Sequence, residues 1–296
     1  MQNHVDERVQ RIFTSLVDVP SLPEAVQTFV KLSEKESSPR EFADLIALDQ
    51  GLASKVLRLV NSAFYSLRTP VSSLRHACTI LGTNTLKSLV LSVSVKNLLN
   101  RSCAGFDAVA LWKHSVATAV GSQKLAAIVL PSLVEDLYAG GLLHDVGIAP
   151  MMQQLGSDYA IALKSAKEGG RCLAEVEREI FGVSHAEVGR AMALRWRLPP
   201  VVVDCIGGHE EKSDTQHSQI TETTKAVDIV RCADQWSHMR GLDFPCRDAQ
   251  VRQTNLELPA WFEQEPAHIE AALSSVEEDL VQWERLLFHK QEALSV

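Results

Sequence analysis

Leu137-Tyr-Ala-Gly-Gly-Leu-Leu-His-Asp-Val-Gly-Ile148 is the stretch around which the rest of this chain is organised. Its apolar residues predict a buried helix that delivers an adjacent His144 and Asp145 and ends at Gly147. An unpaired imidazole or carboxylate in an apolar interior costs several kcal/mol. The pair is therefore expected to be buried with partners or to face a polar cavity. Adjacent side chains on a helix point about 100° apart, so both reach one ion only if other helices complete its ligand shell.

Composition and charge narrow the class of protein. The chain has 296 residues, 46% of them hydrophobic and 22% charged, which is typical of a soluble globular protein of one or two domains. The net charge of -8, without a basic stripe, argues against a nucleic-acid binder. No run of about 18 apolar residues is present, so no membrane span is predicted.

The cysteines and the first residues indicate the compartment. The six cysteines stand far apart and form no Cys-x-x-Cys pair; they are Cys78, Cys103, Cys172, Cys205, Cys232 and Cys246. This spacing favours neither a disulfide framework nor a zinc knuckle. The first residues lack the apolar core of a signal peptide. We therefore expect a cytoplasmic protein.

Hydrophobic periodicity predicts an all-α fold. Ser residues followed by Glu three positions later form three capping-box patterns, at Ser21–Glu24, Ser38–Glu41 and Ser184–Glu187. Residues 90–95 alternate briefly as a strand would, but they lie inside a longer helical pattern, which we favour. Short helices are expected over 20–100 and longer ones from Phe106. An amphipathic tail helix carrying Ile269 to Leu287 is expected to pack on the chain or to form a homo-oligomer.

Six polar residues at helices or helix ends are candidate metal ligands: His114, His144, Asp145, His185, His209 and Asp234. Imidazole nitrogen and carboxylate oxygen suit iron, manganese or zinc better than calcium. Two ions bridged by one carboxylate would clamp a phosphate and activate a water. Taken singly, each residue is more often structural: His114 as a core histidine, His185 as a helix start and Asp234 as a partner of Arg231. The His144-Asp145 pair and the other four candidates, taken together, favour a shared site.

The same residues resemble a known family. His114, the doublet His144-Asp145 and Asp234 resemble the signature of the HD superfamily of metal-dependent phosphohydrolases. The first half resembles the HDOD domain (HD-related output domain) in four stretches: Val19-Pro-Ser-Leu-Pro-Glu24, Leu45-Ile-Ala-Leu-Asp49, Leu57-Arg-Leu-Val-Asn-Ser-Ala-Phe-Tyr65 and Ala77-Cys-Thr-Ile-Leu-Gly82. The match extends from about residue 18 to about residue 239, which is most of the chain.

The resemblance implies a multi-helical HD-like bundle with an N-terminal helical lobe packed on it. The HDOD domain would cover 18–240, with lobes at 18–100 and 106–240, followed by an extension over 241–296. It also implies a bacterial signalling output module that acts through protein–protein contacts. Its partners would be response-regulator, chemotaxis or cyclic-dinucleotide components, and the six candidates would hold one or two divalent transition-metal ions.

Three departures from related cyclic-dinucleotide phosphodiesterases bear on catalysis. Ile148 stands where those enzymes have a lysine, and Gly208 precedes His209 where they have a second histidine. Their Gly-Tyr-Pro stretch is absent after Glu210. We therefore favour a non-catalytic module with a vestigial or structural metal site. The open alternatives are a metal-dependent phosphohydrolase acting on a nucleotide or cyclic dinucleotide, and a metal- or ligand-gated sensor.

A further expectation concerns the end of the helix at Asn61. We expect Asn61 to hydrogen-bond backbone groups between the two lobes, with Phe64 and Tyr65 packed beside it. The alternative is an ordinary helix cap in which Asn61 adopts a left-handed conformation.

Overall fold

The computed structural model describes residues 38–47, 50–61, 69–99, 107–211, 220–242, 244, 256, 258–262 and 266–281. All regular secondary structure in these ranges is helical, which confirms the all-α prediction. Residues 90–95 lie inside a helix, so the brief alternation there does not form a strand. None of the described helices is both long and apolar enough to cross a membrane.

The N-terminal part contains four described helices: α1 Pro39–Ile46, α2 Gln50–Val60, α3 Leu74–Leu81 and α4 Thr83–Leu99. Their apolar side chains form a hydrophobic cluster that includes the fully buried Phe42, Val56 and Leu86. The predicted capping box at α1 is present, because Ser38 N–H donates to Glu41 Oε2 (2.9 Å) and Glu41 N–H donates to Ser38 Oγ (3.3 Å). The Ser21–Glu24 box lies outside the described residues.

Asn61 ties the end of α2 to the segment before α3. Its amide Nδ2 donates to Val71 O (2.7 Å) and to Leu57 O (2.9 Å), and Val71 N–H donates to Asn61 Oδ1 (2.5 Å). Leu57 and Val71 both belong to the N-terminal part, so the expectation of a bond between the lobes is wrong. In the described part of the chain Arg197 is the non-glycine residue with a positive φ, so Asn61 is not a left-handed cap either. Phe64 and Tyr65 lie outside the described residues.

Replacing Asn61 with alanine is expected to lower the free energy of unfolding by about 2 kcal/mol, because a buried residue, Val71, loses the partners of both its backbone groups. Urea denaturation measures the change. Ser54→Ala, at an exposed position on the same helix, is the control and is expected to stay within about 0.5 kcal/mol. An Asn61→Ala variant that matched this control would contradict the bracing role.

The C-terminal part is a bundle of helices packed around one large hydrophobic cluster. It contains α5 Ala108–Val129, a 3-10 turn Pro131–Leu133, α6 Val134–Leu143, α7 Ile148–Leu155, α8 Ser157–Gly169, α9 Leu173–Phe181, α10 His185–Arg195, α11 Pro200–Gly208 and α12 Glu222–Met239. Helix α5 packs along both α6 and α12, and α11 packs on α6, α10 and α12. The larger hydrophobic cluster lies between these helices. The predicted capping box of α10 is present at Ser184 and Glu187.

Ser92 on α4 forms a buried polar link between the two parts. Its Oγ lies 2.6 Å from Tyr138 Oη on α6, and its carbonyl accepts a hydrogen bond from Trp112 Nε1 on α5 (3.2 Å). All three residues are buried. The contact that the sequence assigned to Asn61 is therefore made by Ser92.

The described part of the tail packs on the chain's own core. Helix α13 Pro266–Ser274 contacts α5, and a further helical segment covers 276–281. The stripe of Ile269, Leu273, Val276 and Leu280 is buried in the larger hydrophobic cluster. Gly121 on α5 lies beside this stripe, where a Cβ would make an ordinary contact of 3.4 Å with Leu273 Cδ2, whereas its tighter approach, 3.1 Å, is to Ala233 Cβ on α12. Trp283 and Leu287 lie outside the described residues.

Candidate metal centre

The structure brings all six candidate residues into one buried cluster, here called the His/Asp centre. His114 lies on α5 and Asp234 on α12, whereas His144 and Asp145 form the turn between α6 and α7. His185 is the first residue of α10, and His209 directly follows α11. At most 9% of any of the six is exposed. Five helices therefore contribute side chains to one small site. The spacing of these residues along the sequence does not by itself require them to meet.

Asp145 lies between two groups of imidazoles. Its Oδ2 is 3.3 Å from His144 Nε2 and 3.5 Å from His114 Nε2. Its Oδ1 is 3.2 Å from His185 Nε2 and 3.5 Å from His209 Nε2. The carboxylate thus divides the centre into a first half, with His114 and His144, and a second half, with His185 and His209.

Asp234 belongs to the first half. Its Oδ1 lies 3.1 Å from His114 Nε2 and 3.7 Å from His144 Nε2, and the two Nε2 atoms are 3.1 Å apart. Two ligand atoms on one ion lie roughly 2.8–3.6 Å apart, for bonds of about 2.0–2.2 Å at octahedral to tetrahedral angles. Most of these separations fall within that interval, so the donor set fits a shared ion.

Hydrogen bonds from Nδ1 to backbone carbonyls fix the tautomers of three histidines. His114 Nδ1 lies 2.9 Å from Leu242 O, His144 Nδ1 lies 2.7 Å from Gly141 O, and His209 Nδ1 lies 2.9 Å from Ile206 O. A carbonyl oxygen only accepts, so each Nδ1 carries the hydrogen and donates it. In the neutral ring each Nε2 then directs a lone pair into the centre. Metal-ligating histidines are oriented in this way.

Glu177 on α9 orients the fourth histidine. Its Oε2 accepts from His185 Nδ1 (2.7 Å) and from the His185 backbone N–H (2.7 Å), and its Oε1 accepts from Tyr159 Oη. Glu177 is 0% exposed. Glu177 was not among the residues predicted from the sequence. The available signal was its position four residues after Leu173, on the buried face of α9.

The charges of the centre are coupled. Burial alone would raise the pKa of Asp145, but the charge of His144 and hydrogen bonds from His144, His185 and His209 hold that pKa well below its ordinary value. Burial would lower the pKa of His185, but the charge of Glu177 and hydrogen bonds to Asp145 and Glu177 raise it well above its ordinary value. The centre therefore favours ionised carboxylates that are balanced by positive charge.

A small cavity of about 20 Å³ opens beside Asp145, with room for one or two waters by a threshold of about 10–15 Å³ per water. Its polar lining includes Glu210, whose Oε1 is 3.8 Å from His185 Nε2, and His238. His238 Nε2 lies 3.1 Å from Asp234 Oδ1. His238 was not among the residues predicted from the sequence, although its i,i+4 spacing from Asp234 on one helix was a signal. Ile148 is buried and lines the same cavity, so its position supplies no cation.

Replacing Glu177 with glutamine is expected to lower the free energy of unfolding by about 3 kcal/mol, because the buried network loses the negative charge beside His185 and one of its two accepting oxygens. The affinity for metal is expected to fall about 10- to 100-fold as His185 loses its orientation. Chemical denaturation and metal titration measure the two effects. Glu179→Gln, on the exposed face of the same helix with Arg171 as its partner, is the matched control. Equal stability and affinity in the two variants would contradict the orienting role.

Comparison with known proteins gives the following matches. Residues 19–212 match the family model for the HDOD domain. A Treponema pallidum (strain Nichols) protein named as uncharacterized is 27% identical over 214 residues, covering 71% of this chain and 41% of that protein. The chain thus spans less than half the length of this curated relative.

Two solved structures share the fold. The crystal structure of an HDOD domain protein with unknown function from Geobacter sulfurreducens has a TM-score of 0.77 and 26% identity, covering 96% of this chain and 100% of that one. A protein from Shewanella amazonensis SB2B, provisionally named a phosphohydrolase, has a TM-score of 0.69 and 21% identity, covering 93% and 97%. The second likeness is one of fold alone.

Proposed function

The chain belongs to the HDOD family, and from this premise we propose that it is a regulatory module of bacterial signal transduction whose His/Asp centre binds one or two divalent transition-metal ions. Its partners are signalling proteins of the response-regulator, chemotaxis or cyclic-dinucleotide type, with which it interacts through its helical surface. Family membership supports the signalling role. The geometry of the centre supports the metal.

The single observation that carries metal binding is the orientation of the imidazoles. Three Nε2 lone pairs are directed inward by outward Nδ1 donation to carbonyls. They converge on the carboxylates of Asp145 and Asp234. Lone pairs at about 3 Å spacing repel one another unless protons or a metal ion lie among them, and in the metal-free chain protons on the imidazoles take that place. Imidazole and carboxylate ligands together select iron, manganese or zinc.

His114, His144, Asp145 and Asp234 would hold an ion in the first half, and Asp145, His185 and His209 would hold one in the second. Such ions polarise phosphoryl oxygens and lower the pKa of bound water. The residues around the centre do not favour turnover. The cavity of about 20 Å³ is far below the roughly 300–1,000 Å³ typical of small-molecule sites. Ile148 also supplies no cation for a substrate phosphate, and the described lining of the cavity contains no lysine or arginine.

The second candidate is a metal-dependent phosphohydrolase acting on a nucleotide or cyclic dinucleotide. One observation favours it: Asp145 presents one oxygen to each half of the centre. If two ions were bound, Asp145 would hold them side by side, and the ions would supply stabilisation of the attacking and leaving oxygens of a displacement at phosphorus.

Elemental analysis of protein purified without a metal-binding tag tests the proposal, followed by titration with Fe²⁺, Mn²⁺ and Zn²⁺. We expect one or two ions per chain. A folded protein that binds none of the three would contradict it. The metal-loaded protein is then incubated with nucleotides, cyclic dinucleotides and a chromogenic phosphodiester. Absence of turnover is the expected result, whereas metal-dependent turnover that is lost in Asp145→Asn would establish the phosphohydrolase instead.

A further inference from the structure

His238 lies at the edge of the first half of the centre. It follows Asp234 by four residues on α12, so both side chains lie on the same face of that helix. Only 7% of His238 is exposed. Its Nε2 is 3.1 Å from Asp234 Oδ1, and its ring centroid is 4.7 Å from that of His114.

The donor atoms of His238, His114 and Asp234 form a three-sided set in which all lie within 4.8 Å of one another. Asp234 Oδ1 is 3.1 Å from His114 Nε2 and 3.1 Å from His238 Nε2. Both separations fall within the roughly 2.8–3.6 Å expected for neighbouring ligands on one ion. His238 Nε2 is thus as close to Asp234 Oδ1 as His114 Nε2 is.

We propose that His238 is an additional ligand to the ion of the first half, and that it closes this half while the second half stays open. This inference rests on the proposed metal binding and deepens it. The first half then consists of two donor groups that share His114, namely His114, Asp234 and His238, and His114, His144 and Asp145. The second half consists of Asp145, His185 and His209. Sites filled by protein ligands are structural, and sites with an open position exchange water or substrate.

The cavity is lined by residues of both halves, and the additional imidazole of His238 is what makes the halves differ. His238 lines it together with Asp145 and Asp234, so its imidazole stands on the side from which water would approach the first ion. On the second half the cavity is lined by His185 and Glu210, and Glu210 Oε1 is 3.8 Å from His185 Nε2. The second ion therefore keeps contact with the cavity. The first ion is expected to bind tightly and to stabilise the fold, and the second to exchange with the medium.

The competing explanation is that His238 donates a hydrogen bond to Asp234 and only orients it. Glutamine at position 238 separates the two roles, because its amide still offers an N–H donor but is a poorer ligand for a first-row ion than imidazole. Under the orienting role the glutamine variant keeps its affinity for metal. Under the ligand role it loses affinity as the alanine variant does.

In the test, the untagged, metal-free chain is titrated with Co²⁺, and binding is measured by calorimetry and by visible absorption. For wild type we expect a tight and a weaker binding event. His238→Gln and His238→Ala are both expected to weaken the tight event by at least the roughly 10- to 100-fold typical of losing an outer partner, and to change its visible absorption bands. The weaker event stays unchanged in both. His209→Ala is the reciprocal variant and is expected to weaken the second event.

His76→Ala, at an exposed position on α3, controls for loss of a histidine elsewhere and is expected to titrate like wild type. Circular dichroism and the Tm of each metal-free variant establish whether it is folded. If His238→Ala is not folded, His238→Gln alone decides between the two roles. Wild-type protein that binds no Co²⁺ would overturn both the metal binding and this inference. Wild-type binding with an unaltered tight event in His238→Gln would overturn this inference alone.

Discussion

Asp145→Asn is expected to abolish high-affinity binding of metal to both halves of the centre. Asp145 Oδ2 faces His144 and Oδ1 faces His185, so its two oxygens serve different ions. Asparagine has nearly the same shape, but it replaces one oxygen by an N–H donor and removes the charge. One half then meets a donor instead of a ligand, and the other keeps a weaker, neutral ligand. We expect affinity to fall by more than about 100-fold, beyond the effect of an outer partner.

The Tm gives a second measurement of the same change. An ion that binds only the folded chain stabilises it by about 2.7 kcal/mol at a free concentration 100-fold above Kd. For a chain of 296 residues that corresponds to a rise in Tm of roughly 4 °C for each ion bound. Wild type is expected to show the rise on addition of Mn²⁺ or Zn²⁺, and Asp145→Asn is expected to show none.

Asp158→Asn, at an exposed position on α8, removes the same charge from the surface and is the matched control. The control matters because the chain carries a net charge of -8, and surface carboxylates bind divalent ions weakly. We expect the control to keep the metal-induced rise in Tm. If Asp145→Asn kept it as well, Asp145 would not be a ligand and the division of the centre into two halves would be wrong.

The helices and the six candidate ligands were predictable from the sequence because each carries a local signal. Ser184 and Glu187 have the spacing of a capping box, which places His185 at the start of α10. The apolar residues around His144 and Asp145 predict their burial. That these residues meet Asp234 depends on the packing of α5, α6 and α12. Here the resemblance to the HD superfamily signature supplied what periodicity alone does not.

The residues that the sequence analysis missed depend on tertiary contacts. Glu177 orients His185, and Leu242 supplies a carbonyl to His114 over 128 residues of chain. A backbone carbonyl has no sequence signature at all. The predicted bond from Asn61 to backbone is present, but its predicted partner was wrong. An asparagine at a helix end bonds any backbone group within its reach, and in this fold that group belongs to Val71. Local pattern therefore predicts which groups need partners but not which groups provide them.

Gly147→Ala is expected to destabilise the protein by about 3 kcal/mol or more and to separate the two halves of the centre. Gly147 has φ -69°, so alanine meets no backbone strain there. The obstacle is space: a Cβ would lie 2.0 Å from His185 O and 2.8 Å from Gly189 N. Both atoms belong to the backbone of α10, which cannot yield as a side chain does. The turn that carries Asp145 must then move away from His185, and overpacking of this kind costs about 1–3 kcal/mol or more.

Urea denaturation and Co²⁺ titration of Gly147→Ala measure the two effects together. Binding to the second half is expected to weaken more than binding to the first, because α10 carries His185 whereas His144 precedes the glycine on the same turn. Gly169→Ala is the matched control: a Cβ there would lie no nearer than 3.7 Å to Arg171, and alanine at a helix end costs nothing or stabilises by up to about 1 kcal/mol. If Gly147→Ala were as stable as this control, the close approach of the Asp145 turn to α10 would not hold the centre together. If it lost stability but bound both ions as wild type does, the glycine would serve packing alone and the spacing between Asp145 and His185 would be set elsewhere.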